Sequence, residues 1–79
     1  MKEFVEFVAK SLVDNPDKVA LEQKVEEDGR VVFTLKVAND DVGKVIGKQG
    51  KTAHAMRTLL TAVAAKEGKR ATLEIQQPQ

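Results

Sequence analysis

Asp41-Val42-Gly43-Lys44-Val45-Ile46-Gly47-Lys48-Gln49-Gly50-Lys51-Thr52 is the stretch that decides how this chain folds. Two glycines stand three residues apart between two segments of helical character. Glycine lets the backbone turn sharply, and it lets a ligand's backbone approach where a Cβ would stand in the way. The turn runs into a helix, whose free first-turn N–H groups and dipole favour an anion such as phosphate. Lys48 lies inside the glycine bracket, Lys44 and Lys51 flank it, and Arg57 lies six residues further into the helix. The stretch reads as a cationic site around a phosphate-sized gap in the backbone.

Two better-known glycine loops fail on the letters. A P-loop needs a glycine five residues before the Gly50-Lys51-Thr52 end, and a dinucleotide fingerprint ending at Gly47 and Gly50 needs one at the same place. Val45 occupies it. With 79 residues the chain is also too short for either enzyme fold.

Working outward, Lys2 to Val13 has Phe4, Val5, Val8 and Leu12 at helical spacing, with Glu3, Glu6 and Lys10 off the stripe. Pro16 ends that helix. Val19 to Glu26 alternates, with Val19, Leu21 and Val25 on the apolar face. Asp28-Gly29 is a hairpin signal. Arg30 to Val37 follows, with Val31, Phe33, Leu35 and Val37 on one face. Asn39 or Asp40 is expected to cap the short helix before the turn. The longer helix runs from about Lys51 to Lys66, with a core stripe of Ala53, Met56, Leu60 and Val63 or Ala64, and Gly68 stops it. Arg70 to Ile75 is the last strand, and Gln76 to Gln79 is a polar end. The order is α-β-β-α-α-β. Two helices between the second and third strands permit a parallel, right-handed crossover. The expectation is an α+β fold: a three-stranded mixed sheet with three helices on one face, one domain over 1–76 and a short tail at 77–79.

Composition narrows the function classes. There is no cysteine, which excludes a disulfide framework and thiolate metal sites. The N-terminal segment is interrupted by Glu6 and Lys10 and reads as neither signal peptide nor membrane span, so the expected location is cytoplasmic. Met1 to Asp41 carries six Lys or Arg against ten Asp or Glu; Val42 to Gln79 carries seven against two. Such a split is a sign of a polyanion-facing surface, or else of chance in a short chain. His54 is the single histidine and has no ligand-spaced companion. No catalytic set, metal motif or cofactor motif is readable, and Asp40 and Asp41 are adequately explained by capping.

The string Val45-Ile46-Gly47-Lys48-Gln49-Gly50-Lys51 between two helices resembles the G-x-x-G region of KH domains, which clamps about four backbone nucleotides. The N-terminal helix and strand resemble the type II arrangement. Length, first helix and the whole Asp41–Thr52 run look most like the KhpA family of small bacterial single-KH proteins. That resemblance implies single-stranded RNA binding, as an RNA chaperone or post-transcriptional regulator linked to cell shape. It also implies a homodimer, or a heterodimer with a larger KH protein of the KhpB kind. By the same analogy, Gly47 and Gly50 admit the backbone, Lys44, Lys48, Lys51 and Arg57 contact its phosphates or else form a solvated basic face, and Gln49 reaches a phosphate or is simply exposed. Val45 floors the groove, and Val42 and Ile46 floor it or belong to the core. Ala53 stands where many KH domains have a branched residue, which shrinks the floor.

Phe4, Phe7 and Phe33 are the only aromatics, and all fall on apolar faces away from the turn. There is thus no stacking platform, and one copy should bind weakly. Pairing would compensate through effective concentration. Ala55, Leu59 and Ala62 form a second apolar stripe on the long helix, marking a dimer interface or a lone surface leucine. The rival to an RNA-binding module is a protein-interaction subunit whose partner makes most RNA contacts; single-stranded DNA is a third possibility.

Overall fold

A computed structural model describes residues 1–76; the tail expected at 77–79 lies outside the described residues. The elements are α1 (Lys2–Leu12), β1 (Ala20–Val25), β2 (Val31–Lys36), α2 (Val42–Ile46), α3 (Lys51–Lys66) and β3 (Ala71–Ile75). Short 3₁₀ turns cover Pro16–Lys18, Asn39–Asp41 and Lys48–Gly50. The expected order holds.

β2 is the central strand. It pairs antiparallel with β1 and parallel with β3. Its alternation puts Val31, Phe33 and Leu35 on one face, all buried, where Ala71 and Leu73 of β3 join them. Against that face pack Val5 and Ala9 of α1, Val45 of α2, and Met56, Leu60 and Ala64 of α3. Burying a side chain such as Phe33 or Leu60 is worth about 1.5–3 kcal/mol. Against the roughly 4–12 kcal/mol net stability of a chain this size, each is a large share.

The hairpin closes with Glu26 N–H donating to Arg30 O (2.8 Å) and Gly29 N–H to Glu26 O (2.9 Å). α3 ends in a Schellman arrangement: Gly68 N–H donates to Ala65 O (3.0 Å) and Lys69 N–H to Ala64 O (2.9 Å). Among the described residues, no helix is long and apolar enough to cross a membrane.

Three expectations are corrected. Phe7 is 72% exposed. At 100° per residue it sits about 200° from Val5, on the far side of α1. β1 is an edge strand with only Leu21 half-buried, and Val25, beside the hairpin turn, is 61% exposed. Finally, neither Asn39 nor Asp40 caps a helix with its side chain.

Asp41 explains that last difference. It precedes α2 but makes no capping bond there, and it is wholly buried. Its carboxylate turns to the α1–β1 connection. Oδ1 accepts from Asp14 N–H (3.2 Å), and Oδ2 accepts from Asn15 N–H (3.0 Å) and Asn15 Nδ2 (2.9 Å). The Asn15 amide leads in holding this carboxyl down to about 2, against desolvation, which pushes it up; the N–H groups of Asp14 and Asn15 and the Lys44 ammonium add to the depression. A carboxyl depressed in the folded state stabilises fully above its unfolded value of 3.8 and loses that stabilisation as pH falls through about 2. Urea unfolding of wild type and Asp41→Asn from about pH 6 to about pH 2 checks this. Wild type should be the more stable near pH 6, and the gap should narrow below about pH 4. A gap of constant size across the range would show that the charge contributes nothing.

Candidate nucleic-acid interface

The turn between α2 and α3 is built on three residues of positive φ within four positions. Gly47 has φ 78° and ψ 171°, Gln49 has φ 58° and ψ 26°, and Gly50 has φ 74° and ψ 10°. Gly50 N–H donates to Gly47 O at 3.1 Å and closes the turn. Gln49 is the one non-glycine residue with positive φ among the described residues. A left-handed conformation costs an L-residue about 1–2 kcal/mol, and such positions cluster at ligand clamps.

The two glycines are required for different reasons. A Cβ on Gly47 would stand 2.6 Å from Thr52 Cβ and 2.8 Å from Thr52 N, and closer still to Thr52 Oγ1. Gly47 is thus pressed onto the first turn of α3. A Cβ on Gly50 would meet nothing within 4 Å. Gly50 instead serves as the left-handed N-cap of α3 without supplying a side-chain cap, and the first N–H of that helix, on Lys51, donates to Lys48 O within the turn.

The cationic residues divide into three groups. Lys48 and Lys51 are exposed beside the turn, as is Gln49. Lys44 is not free: its ammonium is paired with the Asp14 carboxylate and lies 3.3 Å from Asp41 Oδ1. Asp14 first, then Asp41, raises its pKa above the ordinary lysine value. Arg57 belongs to another place. Val31 N–H donates to Arg70 O and Gln76 N–H to Leu35 O. Even-numbered residues of β3 therefore bond to β2, and the N–H and C=O groups of Ala71, Leu73 and Ile75 face the open edge. Arg57 Nε donates to Leu73 O at 3.0 Å, pinning the guanidinium to that edge. A concavity of about 710 Å³ on the solvent face of the sheet also takes in Arg57 and Thr61, but no residue of the turn.

The apolar candidates divide too. Val45 is completely buried and Val42 nearly so; both are core, and Val45 cannot floor an open groove. At helical spacing it points at the sheet side of α2, packed within the same core as Phe33 and Leu60. Ile46 is half-buried beside the turn, and Ala53 is buried. Ala55, Leu59 and Ala62 are exposed, Leu59 by 53%. Sequence reading missed Asp14, Asn15 and Thr52. Thr52 adjoins the motif, but nothing local shows that it touches Gly47; Asn15 and Asp41 are 26 residues apart, with no pattern linking them.

Comparison with known proteins gives a consistent result. The family model described as KhpA/KhpB, KH domain, matches residues 2–75. A protein of Clostridium acetobutylicum named RNA-binding protein KhpA is 51% identical over 75 residues, covering 95% of this chain and 99% of its own. Proteins of the same name from Aquifex aeolicus (52% identical; 95% and 94% covered) and Chlamydia trachomatis serovar D (44%; 95% and 95%) are similar over the same extent. No solved structure matches at a significant level.

The two glycines should respond differently to a methyl group. Gly50→Ala should cost about 1–2 kcal/mol, the left-handed penalty alone. Gly47→Ala adds a clash with α3 and should cost about 2–5 kcal/mol. Thr52→Ala should not rescue it, since the Thr52 Cβ and backbone N remain. Urea unfolding of the three variants measures this; equal losses at both glycines would contradict the close approach.

Proposed function

Because the chain belongs to the KhpA/KhpB KH-domain family, we propose that it binds single-stranded RNA through the Gly47–Gly50 turn. It acts in the cytoplasm as an RNA chaperone or post-transcriptional regulator. Its relatives carry the name of RNA-binding proteins, so it is a binding protein and not an enzyme.

The observation that supports this most is the turn itself. KH domains use a G-x-x-G loop to clamp the nucleic-acid backbone. Here Gly50 leaves open space and α3 begins without a side-chain cap, while Lys48, Gln49 and Lys51 stand exposed around it. Gly47, Lys48, Gln49, Gly50 and Lys51 form the phosphate clamp in this reading. Ile46 and the open edge of β3, with Arg57 fixed to it, form the walls that face the bases. Phe7, the exposed aromatic, lies on α1 and offers no stacking surface at the turn. Binding by one copy is correspondingly weak.

A second reading is favoured by the exposed Ala55, Leu59 and Ala62 face of α3. It serves pairing, with a second copy or with a larger KH protein of the KhpB kind, and pairing raises affinity through effective concentration. In the extreme form the partner makes most of the RNA contacts.

Fluorescence anisotropy with a short labelled single-stranded RNA across a salt series tests the first reading. Wild type should bind, with affinity falling steeply as salt rises, and Lys48→Asp/Gln49→Asp should reduce affinity at least tenfold. Identical behaviour of the two proteins would overturn the clamp. Sedimentation of Leu59→Asp tests the second: wild type should be dimeric at tens of micromolar and the variant monomeric, with its fold unchanged. A monomeric wild type would rule out the homodimer.

A further inference from the structure

Lys44 and Lys48 look equivalent in the sequence, but the fold treats them differently. Lys48 has no acidic partner among the described residues, whereas Lys44 is paired with two carboxylates, Asp14 and Asp41. The two acids are not alike. Asp41 is buried and already takes three N–H donors, and it lies 3.3 Å from the Lys44 ammonium. Asp14 is 77% exposed, and its side chain makes no other bond among the described residues. What Asp14 contributes to the buried latch is its backbone N–H, not its carboxylate. One of Lys44's two ion pairs is therefore made to an exposed carboxylate that has no other bond among the described residues.

Lys44 sits three residues before Gly47, less than one helical turn, or about 4.5 Å of rise. Helical side chains lean toward the N-terminus of their helix, which carries this ammonium back to Asp41 and Asp14 and away from the turn. A lysine's flexible four-carbon stem could bring it forward again. An ion pair this exposed is weak, so the hold is one that a small change can release.

We infer that Asp14 is an electrostatic restraint on the nucleic-acid site: it holds Lys44 back, so the chain meets a polyanion with one cation fewer than its sequence offers. This rests on the RNA-binding reading for the identity of the ligand. Asp14 acts through Lys44 and touches no RNA itself, so it tunes affinity and does not belong to the clamp.

A double-mutant cycle read by anisotropy on a short labelled single-stranded RNA tests it. Asp14→Asn should tighten binding roughly two- to fivefold at low salt. It should also steepen the dependence of log K on log salt by up to about 0.7, the increment for one more contact with a single strand. Lys44→Gln should change wild type little and abolish the gain in the Asp14→Asn background. Asp40→Asn, which removes an exposed acid next to Asp41, controls for the loss of a negative charge and should leave the slope unchanged. Equal effects of Asp14→Asn and Asp40→Asn would overturn the restraint, as would Lys44→Gln weakening wild type by the same factor as it weakens the Asp14→Asn variant. The same cycle run with inorganic polyphosphate separates the two claims. If wild type ignores RNA but the Asp14–Lys44 coupling appears on polyphosphate, the RNA reading fails and the restraint stands. If no variant binds either polyanion, the restraint falls as well.

Discussion

Asp41 has no contact with water, yet it keeps its charge, because the fold brings three N–H donors from the α1–β1 connection and one ammonium to its two oxygens. A carboxylate taken out of water costs several kcal/mol unless such partners replace its hydration. The donors come from Asp14 and Asn15, just after α1, and the acceptor stands at the entrance to α2. Their union fixes where the crossover from β2 to β3 begins relative to the first helix. Everything downstream, α2, the glycine turn and α3, takes its position from that point and from the sheet. The charge is thus a tertiary fastener, although its place in the sequence suggests a helix cap.

From that fastener the site follows by short rigid steps. α2 is one and a half turns long and is held by Val42 and Val45 in the core. α3 is held by Ala53, Met56, Leu60 and Ala64. Between them Gly47 is pressed onto Thr52, and Gln49 is held in a left-handed conformation. A turn whose groups are fixed before any ligand arrives loses little further entropy on binding. The parallel pairing of β2 with β3 leaves β3 at the sheet's edge, with alternate N–H and C=O groups turned away from β2. Arg57 occupies one of those carbonyls and so ties the first half of α3 to the edge of the sheet.

Charge placement decides how strongly such a platform attracts a polyanion. The second half of the chain carries seven cations and two acids, but position modifies that count. Lys48 and Lys51 stand exposed at the turn, Arg57 is anchored at the strand edge, and Lys44 is turned back to acids from the chain's first half. The acidic half is therefore more than a solvated remainder: Asp14 and Asp41 reach into the basic half and offset part of its charge.

The sequence by itself determined what depends on neighbours along the chain. Periodicity gave α1, α3 and β2, the Asp28-Gly29 pair gave the hairpin, and the glycine bracket gave the turn at Gly47–Gly50, since each rests on interactions within about one helical turn or one strand pair. Element order then limited the topology to a mixed sheet with a helical crossover. Tertiary structure alone decided which of those residues face one another. It buried Val45, exposed Phe7 and Val25, and set Arg57 on Leu73. It also turned Asp41 from its own helix to a segment 26 residues earlier, and took Lys44 with it. The reason is physical: a polar or apolar side chain goes to whatever partner the packed elements place within reach, and over such separations that partner has no signature in the local sequence.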